Sequence, residues 1–197
     1  PKGTKVGHAG TLDPFATGLL VVAVGRATRL LQFLTDHDKT YLARVQLGST
    51  SATGDPEGPI VATGAPPPTQ SAIAAAVANL PGQHEQRVPS FSAVKVDGEP
   101  MYRRARRGEE VPQRSRTITI AGATLVASDD DGKWFDLQVT CSKGTYIRQL
   151  AVDLGEDLGV GGYCERLRRL AVGDMSIDAA AAPDRVPQQG GIDPLVA

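Results

Sequence analysis

Residues 7–18 of this 197-residue chain read Gly-His-Ala-Gly-Thr-Leu-Asp-Pro-Phe-Ala-Thr-Gly, and they leave the backbone around one carboxylate little choice. Pro14 biases Asp13 away from the right-handed helical region and toward an extended backbone. Gly10 and Gly18 accept turns that are closed to residues carrying a Cβ. An Asp-Pro pair also starts turns and caps helices. Taken alone, the segment therefore has two readings: a plain turn, or a loop that aims the Asp13 side chain into a cleft.

The rest of the chain gives that loop a core to stand on. With 41% hydrophobic residues, the length suffices for one domain, with room for a smaller subdomain. Residues 19–24 form a β-branched apolar run suited to a buried strand. Residues 26–34 carry Leu30, Leu31 and Leu34 at helical spacing. Residues 41–47 alternate as a half-buried strand, and residues 51–58, rich in Gly, Asp and Pro, are turn material in which Asp55 reads as structural. Thr69 is placed to cap a helix containing Ile73, Val77 and Leu80, which Pro81-Gly82 ends. Beyond it the pattern predicts a strand at 91–96, a short basic helix at 101–107, a strand at 118–126, an acidic turn at 129–132, and a hairpin partner at 134–141. A helix from residue 145 carries Ile147, Leu150, Ala151 and Leu154 on one stripe and ends at the glycines of 159–162. The expected class is α+β: a mixed, largely antiparallel central sheet with flanking helices. Residues 66–116 are expected to form an insertion subdomain, and residues 173–197 a loosely docked tail.

Charge and cysteine usage narrow the function classes. The formal net charge is −1, but Arg103, Arg104, Arg106 and Arg107 cluster, Arg114 and Arg116 follow, and Arg166, Arg168 and Arg169 form another group, while Asp129 to Asp131 are acidic. Segregation of this kind builds a basic face on a near-neutral protein. The arginines at 103–107 read equally as a nucleic-acid contact or as a solvated face balanced by Glu109 and Glu110. Cys141 and Cys164 have no metal-ligand spacing, so no metal and no cofactor is expected, and both thiols are expected free. No apolar run reaches membrane-spanning length and the first residues show no signal region, which gives the expectation of a cytoplasmic protein without a membrane partner.

The string at 7–18 fills every fixed position of the signature Gly-His-x-Gly-x-Leu-Asp-Pro-x-Ala-x-Gly, and so resembles the TruB family of tRNA pseudouridine synthases. Three more segments match in the family's order. Asp38-Lys39-Thr40-Tyr41, continuing through Ala43, Val45, Leu47 and Gly48, resembles the tyrosine-bearing strand. Cys141-Ser142-Lys143-Gly144-Thr145-Tyr146-Ile147-Arg148 resembles the arginine segment, and Leu167-Arg168-Arg169-Leu170 a third motif. The similarity covers residues 2 to about 172. It departs at both ends: the family's first strand with its Lys-Pro loop is absent ahead of Gly7, and too few residues follow Gly173 for the PUA RNA-binding domain. The resemblance therefore describes a catalytic core, expected to have an open edge or a substitute partner near Asp13.

The resemblance also implies roles. Asp13 would be the catalytic carboxylate, by attack at C1′, by attack at uracil C6 or by deprotonation at C2′. Arg148 would be its guanidinium partner, favouring the charged carboxylate. Tyr41 would stack on the target base and is a candidate for the C5 proton step. Leu167 and Tyr146 would close the uracil pocket, and His8 would fill the space left by everted bases. Arg103 and Arg107 would contact RNA. The implied reaction is isomerisation of uridine 55 in the T loop of tRNA, by a monomer. Two other classes remain open at this stage: a non-catalytic RNA-binding module, and a glycoside or nucleoside hydrolase, which would need a second carboxylate.

Overall fold

The computed structural model describes residues 3–92, 94–96 and 98–182. Two short strands, β1 (Val6–His8) and β2 (Thr17–Gly18), bracket the signature loop, and β3 (Val22–Val24) follows. A 3-10 turn leads into one turn of helix, α1 (Leu31–Leu34). The long strand β4 (Lys39–Leu47) precedes a hairpin of β5 (Ser49–Ser51) and β6 (Ile60–Ala62), then α2 (Gln70–Ala78) and β7 (Gly82–Arg87). A small unit of β8 (Lys95–Val96), β9 (Glu99–Pro100) and α3 (Met101–Arg106) comes next. The chain closes with the hairpin β10 (Ser115–Ser128) and β11 (Trp134–Cys141), helix α4 (Ile147–Asp157), β12 (Gly162–Val172) and β13 (Met175–Ser176).

The main sheet runs β13-β12-β4-β11-β10-β7, antiparallel throughout, and β2 makes it mixed by joining β12 in parallel. Strand β4 shows why it folds this way. Its residues alternate strictly, so Lys39, Tyr41, Ala43, Val45 and Leu47 all point to one face, which is buried. Phe135, Leu137 and Val139 of β11 and Ile118 and Ile120 of β10 extend that face. Helices α2 and α4 cover it with Ile73 and Val77, and with Ile147, Leu150, Ala151 and Leu154. The Thr69 hydroxyl accepts the Ala72 amide at 3.2 Å and caps α2. Helix α4 lies so close to β12 that a Cβ on Gly155 would stand 2.2 Å from the Gly162 nitrogen. The expected α+β class is what the chain adopts.

Three local expectations differ from the structure. Of residues 19–24 only 22–24 form a strand, and Leu20, Val22 and Val24 are exposed. Strand β3 pairs with β1 alone in a two-stranded sheet, so its apolar side chains have no layer to bury against among the described residues. The helix expected over 26–34 begins as a 3-10 turn, which takes its leucines off one stripe, and it buries none of its residues. The strand expected at 91–96 shrinks to Lys95–Val96. Within residues 66–116, α2, β7 and the start of β10 pack with the main sheet, while Val88, Val96 and Met101 gather a separate small core. Within the expected tail, Met175 and Ser176 pair with Val172 and Ala171, and residues 183–197 lie outside the described residues.

Candidate active site

Asp13 is placed by its main chain first. Its carbonyl accepts the Ala16 amide at 2.9 Å, closing a four-residue turn with Pro14 at the second position, where its fixed φ is favourable. The turn and the cleft are thus two aspects of one loop. Beyond it, Thr17 and Gly18 run beside Arg168 and Arg169, and the Leu19 amide bonds the Arg169 carbonyl at 2.8 Å. Gly18 has φ +105, and a Cβ there would sit 2.2 Å from that same carbonyl oxygen. Only glycine lets the loop lie this close to β12.

The Asp13 side chain meets Arg148 in a two-point fork. Arg148 Nε donates to Oδ2 and Nη2 to Oδ1, each at 3.0 Å. A guanidinium has five N–H donors in a rigid plane, and the remaining contacts of Arg148 are the Thr53 carbonyl at 2.9 Å, the Phe91 carbonyl at 3.0 Å and Asp55 Oδ2 at 3.1 Å. Every direction of the fork is occupied. The side chain of Arg148 is 6% exposed and that of Asp55 4%, against 33% for Asp13. Asp55 Oδ1 takes the Thr53 hydroxyl and the Glu57 amide. Asp55 is therefore occupied in holding Arg148, whereas Asp13 keeps an open side.

That open side faces a cleft of about 1140 Å³. Tyr41, Leu167 and Tyr146 line it together with Asp13 and Arg148. Tyr146 caps the start of α4, where the Gln86 side chain grips it: Gln86 donates to the Tyr146 carbonyl at 3.0 Å and accepts its amide at 2.8 Å. Tyr41 is buried, and burial pushes its phenol above the ordinary tyrosine range, while the Arg169 guanidinium facing it pulls the other way. The wall carries six cations (Lys39, Arg106, Arg116, Lys143, Arg148, Arg169) against four carboxylates. Two of those carboxylates are engaged by Arg148, so the cleft is cationic in a chain of net charge −1. Burial, and then Arg169, lower the Lys39 ammonium below the usual lysine range.

Five of the sequence-derived residues, Asp13, Tyr41, Arg148, Tyr146 and Leu167, converge here from elements far apart in the chain. His8 ends β1 opposite Val22, exposed and outside the residues that line the cleft. Arg103, in α3, and Arg107, just after it, also lie off the lining; it is Arg106 that faces the cleft. Arg107 is held by Glu99 at 2.7 Å and Glu109 at 2.5 Å. Two residues were missed. Asp55 was hidden in a segment whose Gly-Asp-Pro composition reads as a turn, and Arg169 stood in a matched motif without a role. Among the described residues no three His, Cys, Asp or Glu side chains group as metal ligands, and no helix is long and apolar enough to cross a membrane.

Comparison with known proteins bears on what this arrangement is. The sequence model of the TruB family pseudouridylate synthase N-terminal domain matches residues 2–147. The chain belongs to the TruB family. It is 47% identical over 188 residues to tRNA pseudouridine synthase B of Cupriavidus metallidurans, covering 95% of this chain and 60% of that protein. It is 42% identical over 197 residues to the enzyme of the same name from Azoarcus sp., covering 97% and 65%. The chain thus spans about three fifths of the length of these relatives. Among solved structures, a Cbf5–Nop10–Gar1 complex contains a chain with TM-score 0.64 and 30% identity, over 87% of this chain and 41% of that one. An H/ACA RNP bound to a substrate RNA containing 2′-deoxyuridine gives TM-score 0.61 and 26% identity over 87% and 40%. The fold of this TruB-family chain is therefore shared with pseudouridine synthases.

Proposed function

We propose that this chain isomerises uridine 55 in the T loop of tRNA to pseudouridine, with Asp13 as the initiating carboxylate. The observation that carries the reading is the Asp13–Arg148 fork: a carboxylate oriented by a buried guanidinium yet open to a cationic cleft with an aromatic wall. Family membership and the tRNA-modifying relatives support it. In this reaction the N1–C1′ bond breaks, the uracil turns, a C5–C1′ bond forms, the C5 proton leaves and N1 gains one. No atom is gained or lost overall. Tyr41 stacks on the detached base, an interaction worth on the order of 1–3 kcal/mol, and takes part in the C5 proton step. Leu167 and Tyr146 keep the base from diffusing away.

A stacked uridine cannot reach Asp13, so it must flip, which costs a few kcal/mol. His8, two residues ahead of cleft-lining Gly10, fills the vacated space. Arg106, Arg116 and Lys143 neutralise phosphates at the mouth, and the chain acts on its tRNA as a monomer. Asp55, the carboxylate that shares Arg148 with Asp13, has both oxygens engaged and is not free to act as a hydrolase's second carboxylate. The test is a tRNA transcript carrying tritium at uridine C5. Tritium passing to water from position 55, and none from a transcript with cytidine at 55, is the expected result; free uracil, or binding without release, overturns the reading.

A further inference from the structure

We propose that Arg169 is the positioning residue of this site: its guanidinium ties together the two ends of the Asp13 loop and so sets the carboxylate between Arg148 and Tyr41. The inference rests on the reading of Asp13 as the initiating group. Arg169 is 1% exposed, the largest fully buried side chain among the described residues. Its Nη2 donates to the Gly10 carbonyl at 3.1 Å and its Nη1 to the Thr11 carbonyl at 3.4 Å, ahead of Asp13. Its Nε donates to the Leu19 carbonyl at 2.8 Å, after Asp13. Its own carbonyl receives the Leu19 amide. One residue of β12 therefore clamps the segment from 10 to 19 from both sides, by side chain and by main chain.

Arg169 forms no ion pair among the described residues, so a buried cation is satisfied by carbonyl oxygens and lines the cleft beside Tyr41. A cation buried without a carboxylate partner is costly, and packing alone would be served by an apolar side chain of similar volume. What the guanidinium supplies is a planar fork reaching three carbonyls that diverge in direction, which an ammonium on a flexible stem does not reproduce. A displacement of the reacting group by about 1 Å can cost a hundredfold in rate. Loss of the fork should therefore fall on turnover, with substrate affinity little changed, since the phosphate-binding cations lie at the mouth.

The experiment compares wild type with Arg169→Lys, reading tritium release, tRNA affinity and amide exchange of residues 9–19 against that of β4 and β11. Expected are a fall of about a hundredfold in kcat, a KM within threefold, and faster exchange confined to the loop, including the Ala16 and Leu19 amides. A kcat within threefold, loop exchange unchanged, or exchange accelerated equally across the sheet overturns the proposal, the last by making Arg169 merely structural. Should the Lys variant not fold, Arg169→Gln is read by the same criteria. A wild-type protein that releases no tritium defeats the functional reading alone, because loop exchange in the variant still reports whether Arg169 places Asp13.

Discussion

At the scale of single residues, Asp13 and Arg148 divide exposure and order between them. Asp13 is one third exposed and makes two bonds to the fork, while Arg148 spends its whole fork on fixed acceptors. Asp13→Asn keeps the shape and one acceptor oxygen, so the fold and tRNA affinity should persist while tritium release disappears. Release at a wild-type rate would remove Asp13 from the chemistry. Arg148→Lys cannot satisfy Asp13, Asp55 and two carbonyls at once, because an ammonium has three donors and no plane. It leaves Asp55 buried with its charge poorly paired, a loss that reaches about 3–5 kcal/mol when a buried pair is broken outright. Turnover should fall at least a hundredfold and the urea midpoint should drop; a midpoint and rate both near wild type would contradict the clamp. Asp13 and Arg148 were legible in the sequence through glycine, proline and motif order. Asp55 was not, because its partner lies 93 positions away and nothing local distinguishes a buried carboxylate in a Gly-Asp-Pro turn from a solvated one.

At the scale of elements, the readable pieces were those whose own pattern matches their burial. Strand β4 alternates and is buried on alternate residues; α4 carries a stripe and buries it; α2 has its cap. The misread pieces depend on partners that a local pattern does not contain. Residues 19–24 have the composition of a buried strand, but the strand they form, Val22–Val24, pairs only with Val6–His8, and Val94 and Val96 pack into a small separate core with Val88 and Met101. Helix α3 shows the same limit for charge. The arginines in it and at its end are near-equivalent in sequence, yet Arg106 faces the cleft and Arg107, the residue after the helix, is tied to Glu99 and Glu109. Replacing Arg106 and Arg116 together by Ala should therefore weaken tRNA binding and flatten the plot of log affinity against log salt by about 0.7–0.9 for each phosphate no longer neutralised. Replacing Arg103 and Arg107 should flatten it less. Equal slopes for the two double variants would show that the face of α3 away from the cleft also meets RNA.

At the scale of the whole molecule, the sheet that carries the site also hides two thiols that lie outside the proposed chemistry. Cys141 lies at the end of β11 and Cys164 in β12, both free and buried. Burial pushes the Cys141 thiol up from 9.0 to about 11, and burial pushes Cys164 up as well. Tyr41, between them in the sheet's buried face, is raised by burial too. Each of these groups holds its proton more tightly folded than unfolded. Between the unfolded and folded values the native state binds more protons, so stability falls as pH rises. For Cys141 the contribution is intact below pH 9 and is lost as pH rises toward 11. A shift of that size corresponds to about 2–3 kcal/mol, at 1.36 kcal/mol for each pKa unit. The urea midpoint should accordingly fall steeply between pH 9 and 11, and a Cys141→Ala, Cys164→Ala variant should show a shallower fall across the same window. The comparison must be of slopes, since removing two buried sulfurs also lowers stability at neutral pH by leaving the core underpacked. If wild type and variant lose stability in parallel from pH 9 to 11, the alkaline sensitivity comes from groups other than the thiols, and the buried face of the sheet does not hold its cysteines protonated.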